Sequence, residues 1–150
     1  MTATQYWNKY LSDTNQKIEE ATFSGELVFE NSGITGIEQS FLIQQGKKTC
    51  CFTAFDSFSI NFEPIPVVGE VYIVEDTDEN PACIIEIDDV QVLPFNQVTW
   101  QMAQQEGEDS SLEEWKNKQF EYMSDEADIC GFDFTENSKV VFEHFHVIYK

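Results

Sequence analysis

Residues 46–54 read GKKTCCFTA, and this stretch marks the change from helical to strand periodicity in the chain. Just before it, four apolar residues recur at the spacing of one helix face: Ile34, Ile37, Phe41 and Leu42. Gly46 is well placed to end this helix as its left-handed terminal residue. Residues 48–54 then resemble a strand, so we expect a strand that follows directly from the end of a helix.

The rest of the chain alternates between short helices and strands. Helices are predicted after a Thr2 or Thr4 cap, over about 96–106, and from a Ser111/Glu114 capping box to about Met123. Strands are predicted over 71–75, 82–92 and 139–149, with a bulge at Asp88-Asp89. The pattern predicts one α+β domain over residues 1–150. Residues 1–22 are predicted to form an N-terminal helix, and a small, mixed or antiparallel β-barrel with helices packed at its ends occupies about 23–149.

The charge of the chain is strongly one-sided. It has 28 Asp and Glu residues against 8 Lys, no Arg, and a formal net charge of −20. Binding to extended nucleic acid depends on basic side chains that neutralise phosphates, so the sequence argues against it. The start of the chain lacks the features of a signal peptide, and no apolar run is long enough to span a bilayer. These observations predict a cytoplasmic protein with no membrane partner.

The cysteines and histidines give no pattern typical of a metal site. Cys50 and Cys51 are adjacent and should point to opposite faces of their strand, while Cys83 and Cys130 stand alone. His144 and His146 share one face of the last predicted strand, with no third ligand evident. We therefore predict reduced thiols, no metal and no cofactor.

Several polar residues are candidates for a binding or catalytic site. Lys47 and Lys48 either belong to such a site or simply complement the negative end of the preceding helix. Glu106, Glu108 and Asp109 either belong to it or form a solvated acidic loop. Two further polar residues are predicted on apolar faces, Gln119 on a helix and Glu143 on the last strand, with Lys48 as the natural counter-ion of Glu143.

An ordered set of motifs resembles the ASCH domain, most closely its YhfF-like branch. The segments that carry the resemblance are Trp7 to Leu11, Gly46 to Thr49, Ala103 to Glu108, Ser111 to Trp115 and Val140 to Phe145. The resemblance implies a PUA-like β-barrel and a function in binding RNA. One member of the family is similar to an amidohydrolase that acts on N4-acetylcytidine with a lysine, a threonine and a glutamate.

Carried over by motif, the catalytic lysine falls on Lys48 and the glutamate on Glu106, but the threonine position holds Cys51. Two further family positions differ, because a histidine is replaced by Gln119 and a basic residue in the last strand by His146. A thiol replaces a hydroxyl as nucleophile only when it is ionised. Lys48 is then either an ammonium that supports a thiolate or a desolvated base beside a neutral thiol.

Three functions follow from these residues. In the first, a pocket at the barrel mouth binds a nucleoside, a modified base or a short RNA element, with ligand contacts from Gly46, Lys47, Thr49, Trp100 and Glu143. Further candidates for stacking are Phe52, Phe55 and Tyr122. In the second, Lys48, Cys51 and Glu106 hydrolyse an N4-acylated cytidine. In the third, the acidic loops bind a basic protein and no pocket exists.

Overall fold

The computed structural model describes residues 1–29 and 36–150, apart from the side chains of residues 36 and 37. The helices of these ranges are α1 (Ala3–Asp13), α2 (Gly36–Gln44), α3 (Phe55–Ile60), α4 (Trp100–Ala103) and α5 (Leu112–Cys130). The strands are β1 (Gly25–Val28), β2 (Cys50–Ala54), β3 (Val71–Glu75), β4 (Pro81–Pro94) and β5 (Lys139–Tyr149). Short 3₁₀ turns flank α4 at Phe95–Gln97 and Gln104–Glu106.

The five strands form one curled sheet, a half-barrel in the order β1-β3-β4-β5-β2. β1 is parallel to β3, and all other neighbours are antiparallel. The long strand β4 loses register against β5 at two places, one of them at Asp88. Such bulges increase the local bend and twist of a strand, which lets the sheet curl. The predicted α+β class, the mixed sheet and the bulge are confirmed.

Apolar side chains cover the sheet on both faces. Under α4 and α5, Trp115 packs edge-on against Phe52 at 4.8 Å between ring centroids and stacks on Phe95 at 5.6 Å. Under α1, the helix residues Trp7, Tyr10 and Leu11 pack against β3 and β4. Ile43 of α2 belongs to a third cluster, with residues of β3, β4 and β5. The strands β2 and β5 are therefore buried on both sides along much of their length.

The helix–strand transition at residues 46–54 differs slightly from the prediction. Gly46 has φ 76° and ends α2 as expected, but the backbone N–H groups of Lys47 and Lys48 both donate to the Leu42 carbonyl, at 2.9 and 3.2 Å. Because these bonds hold both lysines in the terminal turn of α2, β2 begins at Cys50 and not at Lys48. Ile34 of the predicted helix lies outside the described residues, as does the side chain of Ile37.

Other element boundaries were also wrong. The first helix ends at Asp13, α5 continues to a left-handed cap at Gly131, and the helix predicted over 96–106 is interrupted by Thr99, which caps the short α4. α5 extends past Met123 because Ala127, one turn further, is also buried. β1 and α3 were not predicted, since each is too short to give a clear periodicity.

Candidate functional site

A buried cluster of charges lies where the end of α2 meets the loop before α5. Lys48 Nζ lies 2.8 Å from Glu106 Oε2 and 3.6 Å from Glu108 Oε2, and all three side chains are at most 1% exposed. The Trp115 indole donates to the other oxygen of Glu106 at 2.7 Å. Gln39 donates to Glu108 at 3.1 Å. The cluster therefore ties α2, the acidic loop and α5 together.

The backbone explains why these side chains meet. Gly107 has φ 78°, and a Cβ at this position would lie 2.4 Å from the Lys47 carbonyl oxygen. Beside this contact, the Thr49 N–H donates to the Gln105 carbonyl at 2.8 Å. Only glycine allows the two backbones to approach this closely in a left-handed conformation. The loop therefore docks directly on residues 47–49 and brings Glu106 to Lys48.

These contacts correct two of the simpler interpretations of the sequence. The acidic loop is not solvated, because Glu106 and Glu108 are buried and Asp109 pairs with Lys118 at 2.8 Å. Lys48 is not the counter-ion of Glu143, because its two carboxylate partners are Glu106 and Glu108.

The electrostatics of the cluster keep Lys48 charged. Burial lowers the pKa of the Lys48 ammonium, but the two nearby carboxylates outweigh burial and raise the pKa above its ordinary value. Burial raises the pKa of Glu108 to about 7, with a smaller contribution from Glu106 in the same direction. One ammonium thus faces two carboxyls, and Glu108 takes up a proton near neutral pH.

Cys51 and Glu143 form a second polar pair across β2 and β5. The Cys51 thiol donates to Glu143 Oε2 at 3.6 Å, while Cys50 points to the opposite face and contacts the Met102 carbonyl at 3.7 Å. Burial, followed by the charge of Glu143, raises the pKa of the Cys51 thiol well above its ordinary value. The Cys51 thiol is therefore neutral, while the nearby Lys48 is an ammonium. The sequence suggested either an ammonium with a thiolate or a free amine with a neutral thiol, and the structure has neither combination.

A cleft of about 520 Å³ opens on the Cys51 and Glu143 side of the sheet. Its wall includes five aromatic residues, namely Phe29, Phe52, Phe58, Tyr72 and Tyr122. Its polar groups include Cys51, Thr53 and the carboxyls of Glu63, Glu70 and Glu143. Burial, followed by the nearby charge of Glu70, raises the pKa of the Tyr72 hydroxyl to about 12. The cleft thus combines aromatic faces with acidic groups.

The structure brings only some of the candidate residues together at this cleft. Cys51 and Glu143 line it, whereas Lys48 and Glu106 lie in the buried cluster. Gly46 lines a shallow depression beside the C-terminus of β5, and Trp100 packs against the core under α5. Lys47 is exposed, and Thr49 is half-buried with its backbone bonded to Gln105 and Phe145. Neither Glu70 nor Tyr72 was predicted as a site residue, because β3 and the preceding turn match no motif.

His144 and His146 lie on the outer face of β5. Both ring Nδ1 atoms contact the carboxylate of Asp88, the residue at the β4 bulge, and the distance from His146 is 2.8 Å. Partial burial raises the pKa of Asp88, but the hydrogen bonds from the two histidines lower it overall. Within residues 1–29 and 36–150, no group of three or more His, Cys, Asp and Glu residues is arranged to hold a metal ion.

Comparison with known proteins agrees with this fold. The family model of the ASCH domain matches residues 26–149. The chain belongs to the ASCH domain family. Its fold is similar to that of an ASCH domain from Lactobacillus crispatus, at TM-score 0.83 and 29% identity over 98% of this chain and 94% of the other. It is also similar to a protein from Enterococcus faecalis, at TM-score 0.82 and 22% identity over 97% and 87% of the two chains.

Two further comparisons add little about function. A hypothetical protein, PH0355, has a more distant likeness in fold, with TM-score 0.53 and 14% identity over 85% of this chain and all of the other. Among functionally curated proteins, no significant match to this ASCH domain is found. None of the helices in the described ranges has the length and apolar character needed to cross a membrane.

The position of Glu143 in this ASCH domain gives a prediction about pH. Burial raises the pKa of Glu143 to about 7, so the folded protein holds its proton more tightly than the unfolded chain does. Stability from this group is complete below the unfolded pKa of about 4.5 and is lost as pH rises through about 7. Between pH 5 and pH 8 the unfolding free energy of the original protein should fall because Glu143 loses its proton. In Glu143→Gln this fall should be smaller by on the order of 2–3 kcal/mol.

Urea unfolding at a series of pH values measures this difference. Glu136→Gln, at an exposed position outside the cleft, removes the same charge and should leave the pH dependence unchanged. Some pH dependence of the same sign will persist in Glu143→Gln, because Glu108 also titrates near pH 7. Equal pH dependence in the two variants would contradict the assignment to Glu143.

Proposed function

We propose that this ASCH domain binds a single base or nucleoside in the cleft beside Cys51 and Glu143. The observation that carries the proposal is the composition of the cleft, in which aromatic walls surround a buried carboxyl group. Its volume of about 520 Å³ lies within the range of roughly 300–1,000 Å³ that is typical of small-ligand pockets. Aromatic faces stack on any base, and a carboxylate accepts hydrogen bonds from the amino and imino groups of its edge.

The charge of the molecule supports a single base over a long RNA. None of the lining residues is a lysine, and the chain has no arginine. An extended strand would place several phosphates near a surface whose net charge is −20, with little to neutralise them. A short element with one base inserted into the cleft avoids most of this repulsion.

Hydrolysis of an acylated base receives less support from the same geometry. Lys48 and Glu106 satisfy each other at 2.8 Å in a site closed to solvent, and Lys48 is not a free amine. Cys51 reaches the cleft, but its thiol is neutral and its contact is with a carboxylate. The residues that the resemblance assigns to catalysis, Lys48, Cys51 and Glu106, therefore offer the cleft neither a thiolate nor a free amine.

Calorimetric titration with cytidine, adenosine, guanosine and N4-acetylcytidine tests the proposal. We expect at least one nucleoside to bind with a dissociation constant in the micromolar to millimolar range, and no cytidine to be released from N4-acetylcytidine. Tyr122→Ala should weaken binding by about tenfold, because a stacked base loses roughly 1–3 kcal/mol without its aromatic partner. Phe41→Ala, an exposed aromatic outside the cleft lining, is the control and should bind normally.

Two outcomes would contradict the proposal. One is the absence of binding to any nucleoside, N-methylated ones included, at millimolar concentration. The other is equal weakening by Tyr122→Ala and Phe41→Ala, which would place the ligand outside the cleft. Release of cytidine that is lost in Cys51→Ala would instead favour hydrolysis.

A further inference from the structure

We infer that the base accepted by this cleft carries a positive charge and that a phosphate on the same nucleoside weakens its binding. The inference rests on the proposed function and goes beyond it, because a neutral and a cationic base have nearly the same shape. The charges of the lining residues decide between them.

The cleft contains three acidic residues, Glu63, Glu70 and Glu143, and none of the eight lysines of the chain. Lys48 is the cation whose charge acts on the Cys51 thiol at the edge of the cleft, where it lowers the pKa of the thiol. Its charge is offset by Glu106 and Glu108, neither of which lines the cleft. A ligand in the cleft therefore meets a negative potential.

Glu143 is the most deeply placed of these acids. It is only 8% exposed, yet it lines the cleft, and its hydrogen bond is with the Cys51 thiol, a weak donor. Among the described residues, no lysine or histidine forms an ion pair with it. A buried carboxylate without a cation is costly, and a ligand that supplies the positive charge would offset that cost.

The aromatic walls favour a flat organic cation over a metal ion. Tyr72, Tyr122 and Phe58 present ring faces or edges to the same space as the carboxyls. The face of an aromatic ring attracts a cation, and the attraction grows when the site excludes water. An N-methylated base cation combines a delocalised charge with a planar surface for stacking. A small hydrated ion uses the carboxylates but not the rings.

Matched pairs of nucleosides test the inference at pH 7.5. N1-methyladenosine and N3-methylcytidine are cations near neutral pH, whereas adenosine and cytidine are neutral, and each pair differs by one methyl group and one charge. We expect the methylated member of each pair to bind at least tenfold more tightly to the full chain. Adenosine 5′-monophosphate should bind more weakly than adenosine.

Substitutions of the glutamates in the cleft test whether their negative charge causes the preference for a cationic base. Glu143→Gln should reduce the preference for the cation at least threefold, and Glu136→Gln should leave it unchanged. Because Glu143 is buried, Glu70→Gln at the half-buried rim serves as a second test if the first variant folds poorly. The glutamine retains an oxygen to accept the 2.6 Å hydrogen bond from the Val67 N–H.

The outcomes separate this inference from the proposed function. If neutral and methylated nucleosides bind equally well, the inference is overturned and the proposed function stands. If the preference for the cation survives in both Glu143→Gln and Glu70→Gln, the inference is overturned as well. If no nucleoside of either kind binds, both fail.

Discussion

Replacing Lys48 by methionine is expected to lower the free energy of unfolding by about 3–5 kcal/mol, as for other buried ion pairs that lose one partner. The lysine is 1% exposed, and its ammonium lies between the carboxylates of Glu106 and Glu108. Methionine fills most of the space but leaves two buried carboxyls without a cation. The Trp115 indole would still donate to Glu106, so the hydrogen bonding of that carboxylate is only partly lost.

The neighbouring residue offers a matched control for this change. Lys47→Met removes the same charge from an exposed side chain one residue away, and a surface substitution of this kind usually changes stability by less than about 0.5 kcal/mol. Urea unfolding of both variants measures the difference. The loss in Lys48→Met should shrink at pH 5, because burial raises the pKa of Glu108 to about 7 and this carboxyl can then take up a proton. A loss below about 1 kcal/mol at pH 7 would contradict the importance of the cluster.

Alanine at Gly107 is expected to be at least as damaging, with a loss of more than about 3 kcal/mol or a failure to fold. The added Cβ would lie 2.4 Å from the carbonyl oxygen and 2.9 Å from the carbonyl carbon of Lys47. Both contacts are with backbone, which cannot rotate away as a side chain can. The acidic loop would have to move off residues 47–49, and Glu106 would move with it.

Two other glycines separate this steric effect from backbone strain. Gly69 and Gly131 also have positive φ, of 98° and 85°, but a Cβ at either position meets nothing within 4 Å. Alanine at these positions should therefore cost only the left-handed strain of about 1–2 kcal/mol. Thermal unfolding of the three variants compares them directly. Similar losses in all three would show that the close contact between Gly107 and Lys47 has no energetic importance.

The stability of the buried cluster bears on the proposed site. Cys51 follows Lys48 by three residues, and the strand that carries Cys51 pairs with Glu143 on β5. Fixing Lys48 therefore also fixes the start of β2 and the floor of the cleft. Lys48 and Glu106 lie outside the cleft lining, whereas Cys51 and Glu143 belong to it.

The sequence was informative where a local signal reports directly on conformation. Thr2 and Ser111 cap helices as predicted, Gly46 ends α2, and the doubled aspartate at 88–89 marks a bulge. The motif set around Gly46, Glu106 and Trp115 also identified the family. These features act within a few residues along the chain, so they can be recognised without knowledge of the fold.

Contacts between distant segments could not be predicted in the same way. The partner of Lys48 depends on how a loop 58 residues further along the chain docks. Because Gly107 lies directly against Lys47, its neighbours Glu106 and Glu108, and not Glu143, become the ion-pair partners of Lys48. The acidic residues 106–109 are typical of a solvated loop by composition. Only the tertiary contact buries them.

The sequence by itself determined the α+β class, most helices and strands, the family and the strongly negative net charge. The tertiary structure alone decided that Lys48 and Glu106 neutralise each other away from solvent, and that Cys51 and Glu143 face an aromatic cleft. The reason is physical: helix caps and strand periodicity arise from short-range backbone geometry, whereas burial and charge pairing depend on which distant segments come within a few ångströms of each other.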